Sequence, residues 1–255
     1  KKAFQSNTGE CPPELKKFSL EIVKRCEGLP LAIVTIGGLL STKAMIEWGK
    51  FCNSLGSELE RNPHLTSMTK IVLLSYHDLP YHLKSCFLYL GLLPEDYFIS
   101  CGRLVRLWIA EGFVREQRRQ TLEEVGEEYL TELIHRSLVQ VSESDTEGRT
   151  CRVHDLVREI IHSKSEELSF YQVLSEENQI FDPQTRRLSI HNNMDNVLEI
   201  TGESHIRSLF LFKINQLPES SLGRLVSNFK LMKVLDLEDA PLDYLPENVG
   251  NLFHL

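Results

Sequence analysis

Three short pairs, Leu188 with Ile190, Leu209 with Leu211 and Leu235 with Leu237, repeat along the last third of this 255-residue chain at offsets of 21 and 26 residues. A spacing of two puts both members of a pair on one face of an extended strand. A period of roughly 20–29 residues is that of a solenoid repeat, in which no unit buries its apolar face alone and each must stack on the next. The pattern therefore calls for short strands of a solenoid from about Leu188 onward. Leu252 and Leu255 open a further unit and Lys1 is not an initiator methionine, so the chain reads as a piece of a longer protein.

Upstream, the apolar period changes from two to between three and four. Pro12 and Pro13 suit a helix start, Leu15, Phe18, Ile22 and Cys26 share one helical face, and Gly28 ends the run. Pro30 restarts a helix in its first turn, where a missing N–H costs little. The small residues Ala32, Gly37 and Gly38 make that helix thin enough for close packing. Met45, Trp48, Cys52, Leu55 and Leu59 form a third amphipathic stripe, so the first sixty residues predict an antiparallel helical bundle.

The middle of the chain predicts a helix over Ser67–His77, a second after Pro80, a turn at Pro94–Tyr97 and a third helix over Ser100–Glu111. Thr121 and Glu124 form a capping box that opens a fourth. Two β-like runs, Leu138–Val141 and Arg149–Val153, flank the polar stretch Ser142–Gly148, and a helix follows over Asp155–Glu167. Helices followed by a hairpin make a winged helix. Phe170–Pro183 reads as a mixed connector. The fold class is mainly α with an α/β solenoid tail: helical bundle, winged helix, then repeats. Phe87 and Trp108 read as core.

A winged helix raises DNA binding through its third helix, with Arg103, Arg106, Arg115, Arg118 and Arg119 nearby. The net charge of −8 and the carboxylates of Glu123, Glu124, Glu127, Glu128, Glu132, Glu143, Asp145 and Glu147 argue against it, because backbone affinity comes from neutralising cations. The winged-helix DNA-binding regulator with a repeat-based sensor stands as the alternative. Six widely spaced cysteines show no zinc-ligand spacing and read as reduced, mostly buried thiols of a cytoplasmic protein. No apolar run is long enough to span a membrane. No Ser-His-Asp or Cys-His constellation stands out, and no metal site or catalytic residue is assigned. The phosphate-cradling G-x-x-x-x-G-K-[ST] is also missing from this sequence, so the chain alone is expected not to hydrolyse ATP.

Several stretches together carry a family resemblance. Gly28-Leu29-Pro30-Leu31 with the following Ala32–Leu40, Cys86-Phe87-Leu88-Tyr89, Leu93-Pro94-Glu95-Asp96, Trp108-Ile109-Ala110-Glu111-Gly112-Phe113 and Val153-His154-Asp155 occur in the order found in plant NB-ARC leucine-rich-repeat disease-resistance proteins. The Cys-Phe-Leu-Tyr form is similar to their coiled-coil class. Val153 departs from the family's Met-His-Asp but keeps an apolar residue there. The last unit, Leu235 to Leu252 with its Leu245-Pro246-x-x-Val249-Gly250 ending, resembles a plant-type leucine-rich repeat.

The resemblance implies three regions: 1–62 as the rear of the first ARC bundle, 63–168 as the winged helix or second ARC domain, and 169–255 as a connector with the opening repeats. It implies that Pro30 and Leu31 pack beside the adenine of ADP or ATP, that His154 donates to the β-phosphate of ADP, and that Asp155 caps the following helix and holds the imidazole. Chemistry agrees, since a helix N-terminus with an imidazole favours an anion. Most of the nucleotide site, and Mg²⁺ with ATP, would belong to an N-terminal nucleotide-binding domain outside this sequence. The implied function is an ADP/ATP switch in plant defence. Its implied partners are a pathogen effector or a guarded host protein on the solvent-facing residues of the repeats, the protein's own nucleotide-binding and coiled-coil domains, and further copies of itself on activation.

Overall fold

The computed structural model describes residues 11–26, 30–52, 67–144, 148–175, 181–192, 205–214, 219–238, 240–242 and 245–255. Helix α1 (Pro13–Arg25) starts as its prolines predict, with Pro12 as N-cap and Pro13 in the first turn. Helix α2 (Pro30–Ser41) begins at the predicted proline, and residues 45–52 form α3. Gly28, Leu55 and Leu59, assigned above to a helix end and an apolar stripe, lie outside the described residues. Leu15, Ile22, Cys26, Ala32, Ile36, Leu40, Trp48 and Cys52 bury the inner faces of the three helices.

The winged helix follows as α4 (Ser67–His77), α5 (Tyr81–Tyr89), α6 (Cys101–Glu111), α7 (Leu122–His135) and α8 (Asp155–Glu167), with a three-stranded antiparallel sheet β1-β3-β2. Strand β1 (Ile99–Ser100) has no counterpart in the sequence reading; it pairs with β3 (Gly148–Arg152) and leaves Ser100 as N-cap of α6, outside the helix assigned to it. Strand β2 is Gln140–Ser144, two residues later than the apolar run predicts. Leu138 and Val139 are buried in the turn that ends α7. That turn is a Schellman motif: the Ser137 N–H bonds Ile134 O at 2.9 Å and the Leu138 N–H bonds Leu133 O at 3.0 Å. It places Ser137, not a glycine, at φ 60°. The capping box at Thr121 and Glu124 is present in full, and Phe87 and Trp108 are fully buried. All six cysteines are thiols, five of them buried. No helix among the described residues is long and apolar enough to cross a membrane.

Beyond α8 runs a parallel sheet in the order β4 (Gln172–Leu174), β5 (Arg187–His191), β6 (Ser208–Phe212) and β7 (Val234–Asp236). Leu188, Leu209 and Leu235 stand side by side, so the offsets of 21 and 26 become lateral neighbours. Two expectations need correction. The connector holds a strand, β4, whose Gln172 stands beside Leu188 where the repeat would have a leucine. Leu237 falls one residue past β7. Helix α9 (Glu219–Asn228) crosses over between β6 and β7.

The sheet is buried on both faces. Leu174, Leu188, Ile190, Leu209 and Leu211 point into a core with Leu222, Phe229 and Met232. The alternate residues Phe210, Phe212 and Val234 join the winged-helix core, where Phe210 meets Tyr89 edge-on at 5.7 Å and Phe212 meets Tyr97 at 5.1 Å. The strand face expected to meet solvent is thus covered here, because these side chains complete the apolar surface around α5 and α6. Polar links fix the contact. Arg103 donates to both Asp236 oxygens at 2.6 and 2.8 Å, Arg187 to Glu111 at 2.9 Å, and the Ser189 hydroxyl to Leu92 O at 2.7 Å.

Close backbone approach matters most at Gly38. A Cβ there would come within 2.7 Å of the Arg136 Cα and closer still to the His135 carbonyl oxygen, so α2 packs directly on the end of α7. Gly37 meets nothing within 4 Å. Gly38→Ala should lower stability by about 1–3 kcal/mol. Gly37→Ala should be neutral or stabilising by up to about 1 kcal/mol. Equal melting temperatures for the two variants would contradict this packing.

The half-buried His162 and the buried His191 add a pH dependence. His162 bonds the Tyr171 hydroxyl through Nδ1 at 2.7 Å, and His191 Nε2 lies 2.9 Å from Ser189 Oγ. Burial, and then the nearby Arg158, push His162 down to about 4. Burial also dominates at His191, likewise held at about 4, with Arg158, Lys213 and His162 adding to the depression. The unfolded chain takes up these protons near 6.5, so stability is whole above that pH and is lost as pH falls toward 4, on the order of 2 kcal/mol per histidine. Thermal melts from pH 8 to 4 should show the decline, and His162→Gln and His191→Gln should each flatten it.

Candidate functional site

Four elements far apart in sequence converge on one cleft of about 610 Å³. The first turns of α2 contribute Pro30, Leu31 and Val34; the end of α7 contributes Ile134 and Ser137; β2 and the residue before it contribute Val139, Gln140 and Val141; and His154 closes the set from the head of α8. The lining is mostly apolar, with His154, Ser137 and Gln140 as its polar groups. Three of the four residues expected at a site, Pro30, Leu31 and His154, are brought together. Gly28 and Leu29 of the same motif lie outside the described residues.

The fourth, Asp155, does not line the cleft and does not cap the helix. It is the first helical residue and is exposed, and the residue before it supplies the cap. His154 is extended (φ −74°, ψ 145°), and its Nδ1 accepts the Leu156 N–H at 3.3 Å. Its carbonyl also accepts from Val157 at 2.8 Å and Arg158 at 2.9 Å. The expectation fails for a positional reason: a cap must stand one residue ahead of the first helical turn to reach the free N–H groups. Asp155 still favours the positive end of the helix dipole. A neutral imidazole that accepts at Nδ1 carries its proton on Nε2, so the half-buried His154 keeps one donor available.

The walls are held by contacts that the motif residues do not make themselves. The Ser137 hydroxyl bonds Val34 O at 3.4 Å, across the cleft's α2 and α7 walls. Behind them Asp78, between α4 and α5, accepts Lys43 at 2.5 Å and the largely buried Arg136 at 2.9 Å. Burial alone would raise the Asp78 pKa, but its bonds from Lys43 and Arg136 outweigh that and hold the carboxyl below its ordinary value. Val34 is legible as the residue one helical turn after Pro30. Ser137 and Gln140 carry no local signal, because they reach the cleft only through the turn that ends α7.

The third winged-helix element is placed against groove reading. Helix α6 buries Cys101, Leu104, Val105 and Trp108, and its Arg103 is bound to Asp236 at the end of β7 and to Glu238 just beyond it. A recognition helix needs a free face; of the arginines near α6 only Arg103 is committed to these ion pairs, and Arg106, Arg115, Arg118 and Arg119 are exposed. Among the described residues no group of three or more His, Cys, Asp and Glu side chains is arranged to hold a metal ion.

Comparison with known proteins gives this arrangement a context. The family described as the disease resistance protein winged helix domain matches residues 92–161. Disease resistance protein Pik-2 of Oryza sativa subsp. japonica is 39% identical over 91% of this chain and 24% of its own length. A protein of Arabidopsis thaliana named for disease resistance is 36% identical over 95% of this chain and 29% of its own. A late blight resistance protein homolog of Solanum demissum is 35% identical over 99% of this chain and 20% of its own. The chain therefore spans between a fifth and a third of the length of these curated relatives. By that relationship it belongs with the plant disease resistance proteins, whose winged helix domain it carries at residues 92–161.

Proposed function

We propose that this chain is the switch-bearing segment of a plant immune receptor and that the cleft around His154 takes part of an adenine nucleotide. The carrying observation is that Pro30, Leu31 and His154, from two helix starts more than a hundred residues apart, line one cleft. The cleft fits that group by its donor set. Pro30 and Leu31 offer a flat apolar edge for a base, the head of α8 favours an anion, and the free Nε2–H of His154 can donate to it. Bound ADP or ATP would supply a planar base and an anionic phosphate chain, with Mg²⁺ accompanying ATP. The chain's own residues bind and orient. Its role in this reading is a switch and not catalysis, with the rest of the nucleotide site on a separate nucleotide-binding domain.

In this reading residues 1–62, 63–168 and 169–255 correspond to the rear of the first ARC bundle, the second ARC domain, and a connector with the opening leucine-rich repeats. The parallel sheet β4–β7 supports the last assignment through its register. Binding of a pathogen effector or a guarded host protein then belongs to later repeats, because the strand face here is covered by the winged helix. Nucleotide exchange acts only through differential affinity for two arrangements, and these include an ADP-held monomer and an activated oligomer. A cytoplasmic, coiled-coil-class receptor is the form of protein that accommodates this segment.

The test uses the protein in its full reading frame. His154→Ala should lower the ADP that co-purifies by about tenfold, the loss of one charge-assisted hydrogen bond, and raise basal cell-death signalling in leaves. Pro30→Ala should weaken nucleotide binding while leaving the melting temperature of the nucleotide-free protein in place. Unchanged ADP content in both variants would overturn the assignment.

A further inference from the structure

A second cleft of about 650 Å³ opens between the winged helix and the parallel sheet and shares no residue with the His154 cleft. Its walls are the start of α5, the end of α6 with the following loop, the turn after α8, and the segment that leads into β5. Its character is set by three arginines. Arg187 is committed to the fold: it donates to Glu111 and to Phe170 O, and its guanidinium lies 5.0 Å from the Phe113 ring centroid and 4.3 Å from that of Phe170. Arg115 and Arg186 are different. Both are exposed, they come from separate walls, and neither has a carboxylate within ion-pair distance among the described residues.

The charge balance of this cleft runs against that of the chain. Glu111 cancels one of the three lining arginines, leaving two positive charges in excess on a chain of net −8. A concave positive site in such a chain focuses the field on a small anion. The same cleft is lined by Tyr81, Ser85 and His82, whose ring packs on Tyr129 at 4.6 Å. Burial, followed by the charge of Arg115, lowers the His82 pKa, so it offers a neutral hydrogen-bonding ring.

We propose that this cleft binds a small phosphate-bearing anion. Guanidinium forks pair with phosphate oxygens through two parallel bonds, which lysine or a single hydroxyl cannot reproduce. Two forks from separate walls of one cleft favour a ligand with more than one negative charge. Long polyanions are disfavoured by the glutamate row of α7, the helix against which His82 packs. Since the walls belong to the winged helix and to the sheet, a bound anion ties the two together and stabilises the folded chain by mass action. This site is independent of the nucleotide reading above.

The test is calorimetric titration of the 255-residue chain with sodium pyrophosphate, together with thermal melts. Saturable one-to-one binding should be weakened by about tenfold in Arg115→Ala and in Arg186→Ala, and abolished in Arg115→Glu/Arg186→Glu. It should be unchanged in Lys16→Ala, which removes an exposed cation of α1 outside both clefts. Both arginines are exposed, so the melts of the ligand-free variants should match the parent. Co-sedimentation of the parent but not the double variant with phosphatidylcholine vesicles carrying a phosphoinositide would assign the phosphate to a lipid headgroup. Pyrophosphate binding without sedimentation would assign it to a free anion. Absence of saturable binding, binding that survives the double charge reversal, or loss of binding in Lys16→Ala would each overturn the proposal.

Discussion

Burial of the parallel sheet on both faces is the constraint on which the rest of the molecule depends. All five residues of β6 are buried. Its leucines serve the sheet's own core, while Phe210 and Phe212 serve the core around α5 and α6. Each fully buried aromatic is worth about 1.5–3 kcal/mol of hydrophobic burial. The Arg103 and Arg187 links add specificity more than energy, because a desolvated ion pair regains little beyond its desolvation cost while a broken one is expensive. Together they make the winged helix and the opening strands one packed body.

The His154 cleft obeys a different logic. Its apolar walls come from helix ends and a strand start, places where backbone N–H and C=O groups are left without helical partners. Ser137 at positive φ lets the chain turn from α7 into β2 within a few residues, and Gly38 lets α2 approach the turn. The cleft's one histidine is oriented by its own helix: the Leu156 N–H occupies Nδ1 and leaves Nε2 outward. The motif residues Pro30, Leu31 and His154 therefore share the lining with Ile134, Ser137 and the start of β2, and Asp78, Arg136 and Gly38 hold it in shape.

What can be read from the sequence follows from which signals are local. Helix starts at Pro13 and Pro30, the capping box at Thr121 and the strand positions at Leu188 and Leu209 are short-range signals, and each corresponds to an observed element. Strand β1 is only two residues long and exists because β3 lies beside it, and β4 lacks the leading leucine of its neighbours. The cap at His154 is misread by one residue because an Asp ahead of an apolar run is the usual signal for a helix N-cap. Most consequential is the covered strand face. Alternation marks which residues share a face, but what lies against that face is decided by a partner a hundred residues away in sequence.

Helix α8 has a position that gives these observations a mechanical meaning. It begins at the His154 cleft and ends at the turn that delivers the chain into β4, a rod of 13 residues and about 20 Å. Its middle is pinned by Val157, Ile160 and Ile161 in the core, and a Cβ on Gly91 would strike the Ile161 and Tyr171 side chains. A rod seated this tightly transmits displacement without absorbing it. The parallel strands and the imidazole therefore sit at the two ends of one helix seated in the shared core.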